Sequence, residues 1–301
     1  MRVLIAGWFS FEQMGASAGD LLARDLTAQW LTDAGIDYTV AVDVPFTDGK
    51  RWETLDPEAY SHVIFVCGPC GNGPPLTGLL DRFANCSWIG LNLTMLQDLD
   101  QWNPFDLLIE RDSSRTGRPD MVFLTEPLRV PRVGLILVHP QKEYGKRGRH
   151  EQVGQLVTDH LGSLDVAVVP IDTRLDHNQT GLGSSGQIES MIAAMDFTIT
   201  TRLHGTVLSI KNDVPPIVID PIAGGAKVAA QCKVIGWPWC CLADELTAEW
   251  LDDAIAFCRS ADAKHLVTDR RSKARTALST MHAELIDHLS ISTHQPTGGC
   301  G

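Results

Sequence analysis

Four things are scarce in these 301 residues, and each scarcity removes a class of function. Basic residues are outnumbered, 25 Lys and Arg against 37 Asp and Glu for a formal charge of −12, which argues against a nucleic-acid binder working through a broad basic surface. No uninterrupted apolar run reaches the ~18 residues that a membrane helix needs. The opening Met1 to Phe9 is too short for a signal peptide and has no small-residue cleavage site, so the cytoplasm is the expected compartment. Eight cysteines in 301 residues are too sparse for the disulfide framework of a small secreted domain. Cys240 and Cys241 are adjacent, and no second well-spaced pair completes a set of four zinc ligands. No internal repeat is visible.

What is present is a near-average globular mixture, 44% hydrophobic and 21% charged, in a chain long enough for two domains. Short β-branched runs alternate with helical stretches. Arg2 to Ala6, Tyr38 to Val42, His62 to Val66, Ser87 to Leu93, Leu107 to Glu110 and Met121 to Leu124 read as strands of a first half. Leu22, Leu26, Trp30 and Leu31 mark an amphipathic helix that stops at Gly35. Pro127 and Pro131 punctuate Thr125 to Arg132, and the strand pattern restarts at Val133 to Val138. Helices are expected over 151–161, from Ser184 with Gln187 as a capping box, over 248–259 and over 271–289.

Several loops at strand ends contain residues suited to ligands. Gly15 to Asp20, just before the first helix, either lets an anion approach the helix amino end or is simply a turn with Ser17 as cap and Asp20 in the first turn. Cys67-Gly-Pro-Cys70 has the spacing of a redox pair, but the Gly71, Asn72, Gly73, Pro74 and Pro75 that follow are poor helix material. A glycine-rich loop lining a pocket is the competing reading. His139 to His150 is basic, with Lys142, Lys146, Arg147 and Arg149. It is either a solvated loop or one that closes over an anion.

The densest chemistry lies in Met195 to Asp220. Phe197 to Thr201 reads as a strand, then come Arg202 and His204, a short helix, and the strand Pro216 to Ile219. Arg202 and His204 then sit on the carboxyl rim where open α/β sheets bind ligands. If the strand persists through them, both face one volume. A guanidinium grips oxyanions and an imidazole as a class titrates near neutrality; the alternative is a structural ion pair or cap at the strand end. Ala223 to Lys227 forms another flexible loop, with Lys227 as a third cation.

Arg202-Leu-His-Gly205, with Val214-Pro215 before the next strand and Lys227 beyond it, resembles the polysaccharide pyruvyl transferase family. Gly15 to Asp20, Cys67 to Gly73 and Glu110-Arg-Asp-Ser-Ser114 resemble that family's other short elements in the same order. The resemblance implies an α/β fold with mostly parallel sheets, in two Rossmann-like lobes facing across a cleft in the arrangement called GT-B. It places an acceptor-side lobe at 1–129 and a lobe carrying the Arg-Leu-His motif at 130–301, with the last helix packing back on the first. The implied activity moves a pyruvyl group from phosphoenolpyruvate, as co-substrate, to hydroxyls of a sugar or glycan precursor as a ketal, with no cofactor and no metal. His204 and Arg202 would be catalytic; Lys227, His139, Arg111, Gly19, Asp20, Gly71 and Asn72 would bind substrate or donor. His139-Pro140 stands where the family commonly has a donor-binding arginine, leaving Lys142, Arg147 or Arg149 to replace it. Alternatives are a nucleotide-sugar donor on the same fold, a non-catalytic anion- or glycan-binding protein, and thiol chemistry at Cys67 and Cys70.

Overall fold

A computed structural model describes residues 1–138 and 142–292. The chain divides into two compact units, Met1–Leu128 and Arg129–Gly301. The first unit contains the strands β1 (Arg2–Ala6), β2 (Asp37–Val40), β3 (His62–Cys70), β4 (Ser87–Met95) and β5 (Leu107–Ile109), with helices α1 (Ala18–Asp33) and α2 (Leu76–Arg82). The second contains β6 (Arg132–Ile136), α3 (His150–Gly162), β7 (Ala167–Pro170), α4 (Ser185–Ala193), β8 (Phe197–Thr200), α5 (Leu203–Lys211), β9 (Pro216–Asp220), α6 (Lys227–Ile235), β10 (Cys240–Leu242), α7 (Ala248–Cys258), α8 (Ala261–Ala277) and α9 (Met281–Ser292).

Among the described residues each unit holds one five-stranded sheet, and every pairing within the sheets is parallel. The strand orders are β2-β1-β3-β4-β5 and β7-β6-β8-β9-β10. Both follow the 2-1-3-4-5 pattern, in which the chain winds outward in opposite directions from its first strand. The reversal opens a crevice at the carboxyl ends of the first and third strands, here β1 with β3 and β6 with β8. Parallel sheets must be covered on both faces, which explains apolar runs such as Ile217 to Ile219 and Leu4 to Ala6, all with no exposed surface. Phe65, Phe83 and Leu79 fill one face of the first sheet, while Phe9, Ile5 and Val66 fill the other.

Four local expectations are corrected. Met121–Leu124 is a 3-10 turn rather than a strand; Asp120 accepts from Val122 N and starts it. Trp30 lies outside the buried face of α1 and is 42% exposed, because Ala23, Arg24 and Thr27 turn inward and set the helix phase. The expected helix over 271–289 is two helices, α8 beginning ten residues earlier and breaking at 278–280, where Leu278 leaves the helix. Finally, β3 runs on through the Cys-Gly-Pro-Cys stretch to Cys70. It can do so because Cys67 (φ 65°) and Asn92 (φ 56°) are left-handed at the same level of adjacent strands. The ladder pairs Val66 with Leu91 and Gly68 with Leu93 on either side of them.

Candidate functional site

The crevice of the second unit is built around Arg202. β8 ends at Thr200, and Thr200 Oγ1 accepts the Arg202 amide at 3.0 Å and approaches Ile136 O at 3.2 Å. Arg202 is thereby the residue before α5, with extended angles (φ −110°, ψ 139°). Its side chain is only 11% exposed. Nε donates to Leu137 O at 3.1 Å and Nη1 to Thr173 Oγ1 at 3.1 Å, with Asp172 Oδ1 at 3.6 Å. Burial pulls this guanidinium down from its usual value while Asp172 pulls it up. One guanidinium thus ties together the ends of β6, β7 and α5.

His204 does not share that volume. The strand has already ended, so His204 is the second residue of α5 and exposed, whereas Arg202 turns inward. What the two share is the helix amino end. The amides of Leu203, His204 and Gly205 precede the first turn bond, made by Thr206 N to Arg202 O at 3.0 Å, and carry the positive end of the helix dipole. Gly205 is dictated by packing, since a Cβ there would collide with Thr200 Oγ1 and reach Ile136 Cγ2 at 3.0 Å. A cavity of about 330 Å³ adjoins this arrangement, lined by Leu135, Leu137, Pro170, Ile171, Asp172 and Thr180.

Asp172 was not singled out in the sequence, although an aspartate two residues past an apolar strand is a signal for the ligand rim. It organises its own loop, accepting the Arg174 amide at 3.0 Å and the Gln179 amide at 3.2 Å. Asp220 is a second such residue. Fully buried at the end of β9, it accepts the amides of Ile222, Ala226 and Ala229 at 3.1, 2.7 and 2.9 Å. It so caps α6, whose preceding residue Ala226 has no capping side chain. Lys227 opens α6 with an exposed side chain.

The described part of the basic loop is pinned against this segment. Arg147 donates to the carbonyls of Ala223 and Gly225 at 2.9 and 3.1 Å, and the Arg149 amide donates to Pro221 O at 2.7 Å. Arg147 therefore cements two loops together instead of reaching out as a lone cation. His139 lies outside the described residues, as do the side-chain details of Lys142.

In the first unit the remaining residues fall into separate places. Asp20 turns back on Ser17, accepting its amide and its hydroxyl at 2.7 Å each, so Ser17 and Asp20 form a reciprocal cap on α1 beside Gly19. Arg111 donates to Asp120 at 2.8 Å and to Thr94, and the bond to Asp120 raises it above the usual arginine value. Gly71 packs near Leu96 and Gln97, and the exposed Asn72 donates its amide to Gln97 Oε1 at 3.2 Å. Cys67 lies under Asn92, whose amide nitrogen is 3.5 Å from Sγ. Burial, with Asp20 and Asp120 close by, pushes this thiol up to about 11, and burial alone pushes Cys70 up to about 12. Both are thus neutral thiols at pH 7, and the next helix begins only at Leu76. A redox pair needs the opposite on both counts. Among the described residues no group of His, Cys, Asp and Glu is gathered for a metal ion, and no helix is long and apolar enough to cross a membrane.

Two doubly wound α/β units, one with an arginine and a helix amino end at its switch point, define an α/β protein of two parallel-sheet units. Within that frame, residues 119–221 match the family model of polysaccharide pyruvyl transferase, a stretch that contains β6 through β9 and the whole Arg202 arrangement. The match supports an enzyme of this kind, a transferase of polysaccharide chemistry. No curated protein matches the sequence. Solved structures align along most of the chain at low identity. They include the glycosyltransferase of kitacinnamycin (12% identity, 95% of this chain and 98% of that one, TM-score 0.37). CalG4, the calicheamicin glycosyltransferase, aligns at 12% over 98% and 99% of the two chains with TM-score 0.37. The UDP-GlcNAc 2-epimerase from Methanocaldococcus jannaschii aligns at 10% over 94% and 100% with TM-score 0.33. At these scores the fold of this chain rests on its own strand order.

Proposed function

We propose that this protein transfers a pyruvyl group from phosphoenolpyruvate to two hydroxyls of a sugar or glycan precursor. The observation that carries the proposal is the junction of Arg202 and the first turn of α5 at the β6/β8 switch point, inside the stretch that matches the family. Protonation at the methylene carbon of phosphoenolpyruvate leaves its central carbon electron-poor, and a first sugar hydroxyl adds there with loss of its proton. Cleavage of the bond between that carbon and the phosphate oxygen releases inorganic phosphate. The second hydroxyl then closes the ketal and gives up its proton. His204, exposed at the rim, is the group to deliver and collect protons. The free amides of α5 and the Arg202 guanidinium face the anionic end of the donor and offset the charge that grows on departing phosphate. Lys227 and the Gly19, Asp20, Gly71, Asn72 and Arg111 loops are further places for substrate contact, as is His139.

Purified protein given phosphoenolpyruvate and a set of sugar acceptors is expected to release phosphate and add the mass of a ketal to one acceptor. His204→Ala should lower the rate on the order of 10²-fold or more, the size of a lost acid–base group. Unchanged release in that variant would remove His204 from the mechanism. Phosphoenolpyruvate, and not nucleotide sugars, should raise the melting temperature; the reverse pattern would replace the donor by a nucleotide sugar.

A further inference from the structure

A second cavity in the carboxyl-terminal unit takes no part in the switch point. It measures about 400 Å³ and lies between α5, α6 and α8. Ile210, Ile235 and Leu278 give it an apolar wall, and Lys211, Arg271 and Arg275 bring cations to it. Lys211 is held by Glu189 at 2.8 Å and Arg271 by Asp213. Among the described residues Arg275 has no such partner. Val234, one residue before Ile235 on α6, leaves 81% of its surface exposed.

The same unit ends in a helix with the complementary character. Met281, Leu285, Ile286 and Leu289 of α9 expose 59%, 57%, 45% and 52% of their surfaces. Their spacing puts them on one stripe of the helix, and among the described residues nothing covers it. Contiguous exposed apolar surface of this kind marks an interaction site. Glu284 flanks the stripe and Asp287 lies further round, while α9 contains no lysine or arginine. The chain passes from α8 to α9 through successive tight turns, Leu278 N to Ala274 O, Met281 N to Leu278 O and Glu284 N to Thr280 O at 3.2, 3.2 and 3.0 Å. Leu278 borders the cavity while among the described residues none of α9 lines it, and the stripe is exposed, so the stripe does not fill the cavity of its own molecule.

We infer that the α5–α6–α8 cavity receives α9 of a second copy of this chain, exchanged reciprocally about a twofold axis. Leu285 and Leu289 enter the apolar groove as helix anchors, and Glu284 meets Arg275 across the contact. Because the groove and the helix belong to the same unit, one twofold contact satisfies both twice and closes the assembly at a dimer.

Light scattering on the full chain across a concentration series tests this. The expected mass is twice that of the chain, and Leu285→Asp combined with Leu289→Asp should return it to a monomer with unaltered circular dichroism, since both side chains are exposed. Arg275→Glu should loosen the dimer about tenfold, and adding Glu284→Arg should restore it. A wild-type monomer at every concentration, or a dimer indifferent to the double leucine change, overturns the inference. A dimer that the leucine changes dissolve but Arg275→Glu leaves intact would seat α9 elsewhere and overturn the groove.

Discussion

Gly205 shows how a single hydrogen-sized side chain can govern a site. α5 crosses the end of β8 so closely that any Cβ at this position meets Thr200 Oγ1, the atom that also accepts the Arg202 amide. Gly205→Ala should therefore act twice. Overpacking of this kind costs about 1–3 kcal/mol, read as a fall in melting temperature. Moving Thr200 would also shift Arg202, whose Nε and Nη1 bonds to Leu137 and Thr173 require its present direction, so the phosphate release proposed above should fall by more than the loss of folded protein explains. Equal losses of activity and folded fraction would make the glycine a packing residue alone. The sequence made Arg202, His204 and Gly205 conspicuous as a cluster. It could not show that Arg202 is inward and His204 outward, because that depends on where the strand stops, and Thr201 is as good a strand residue as Thr200.

At the scale of elements, the loops were legible as loops while their internal chemistry was not. Gly15 to Asp20 reads equally well as an anion loop or a capped turn, and the structure supplies the reciprocal Ser17 and Asp20 cap that the spacing permits. In the sequence the Cys67 to Cys70 stretch, running into Gly71 and Gly73, looks like a glycine-rich loop after a strand. What keeps it in the sheet is a matched left-handed residue in the neighbouring strand, a pairing that no local pattern reveals. The segment after β5 is held by Glu110, which has no exposed surface and bonds to Arg115 at 2.9 and 3.0 Å and to Ser113 at 3.0 Å. Burial would push this carboxyl up, but the bonds from Arg115, its own backbone and Ser113 prevail and hold it below the usual glutamate range. A carboxylate depressed on folding contributes stability that is complete above its unfolded value of about 4.3 and is lost as pH falls through the lower folded value. Glu110→Gln should cost on the order of 2 kcal/mol at pH 7 and progressively less as pH falls below the unfolded glutamate value toward the lowered folded one, so the melting temperatures of variant and wild type should converge on acidification. A gap that stays constant from pH 7 to pH 3 would show that the ionised carboxylate is not what matters.

For the molecule as a whole, alternation of short apolar runs with helical stretches was enough to read an α/β chain with parallel sheets, because buried parallel strands write themselves as unbroken apolar runs. Strand order was out of reach, since β1 and β6 could equally have paired with either neighbour, and with it the position of the two switch points. Each unit nevertheless has its own buried clusters, Phe65 and Phe83 in one and Phe197 and Ile199 in the other. Between β5 and β6 the chain is punctuated by Pro127 and Pro131 and exposes Phe123, Leu124 and Leu128 at 83%, 66% and 83%. Exposed aromatic and leucine side chains in an irregular segment are what chymotrypsin cuts first. Brief digestion of the native protein should thus cleave near 123–128 before it touches either sheet and release two fragments. Each fragment should keep native-like circular dichroism and unfold cooperatively by itself, as units with separate cores do. Early cuts within β1 to β4 or β6 to β10, or fragments that unfold on release, would mean that neither core suffices alone.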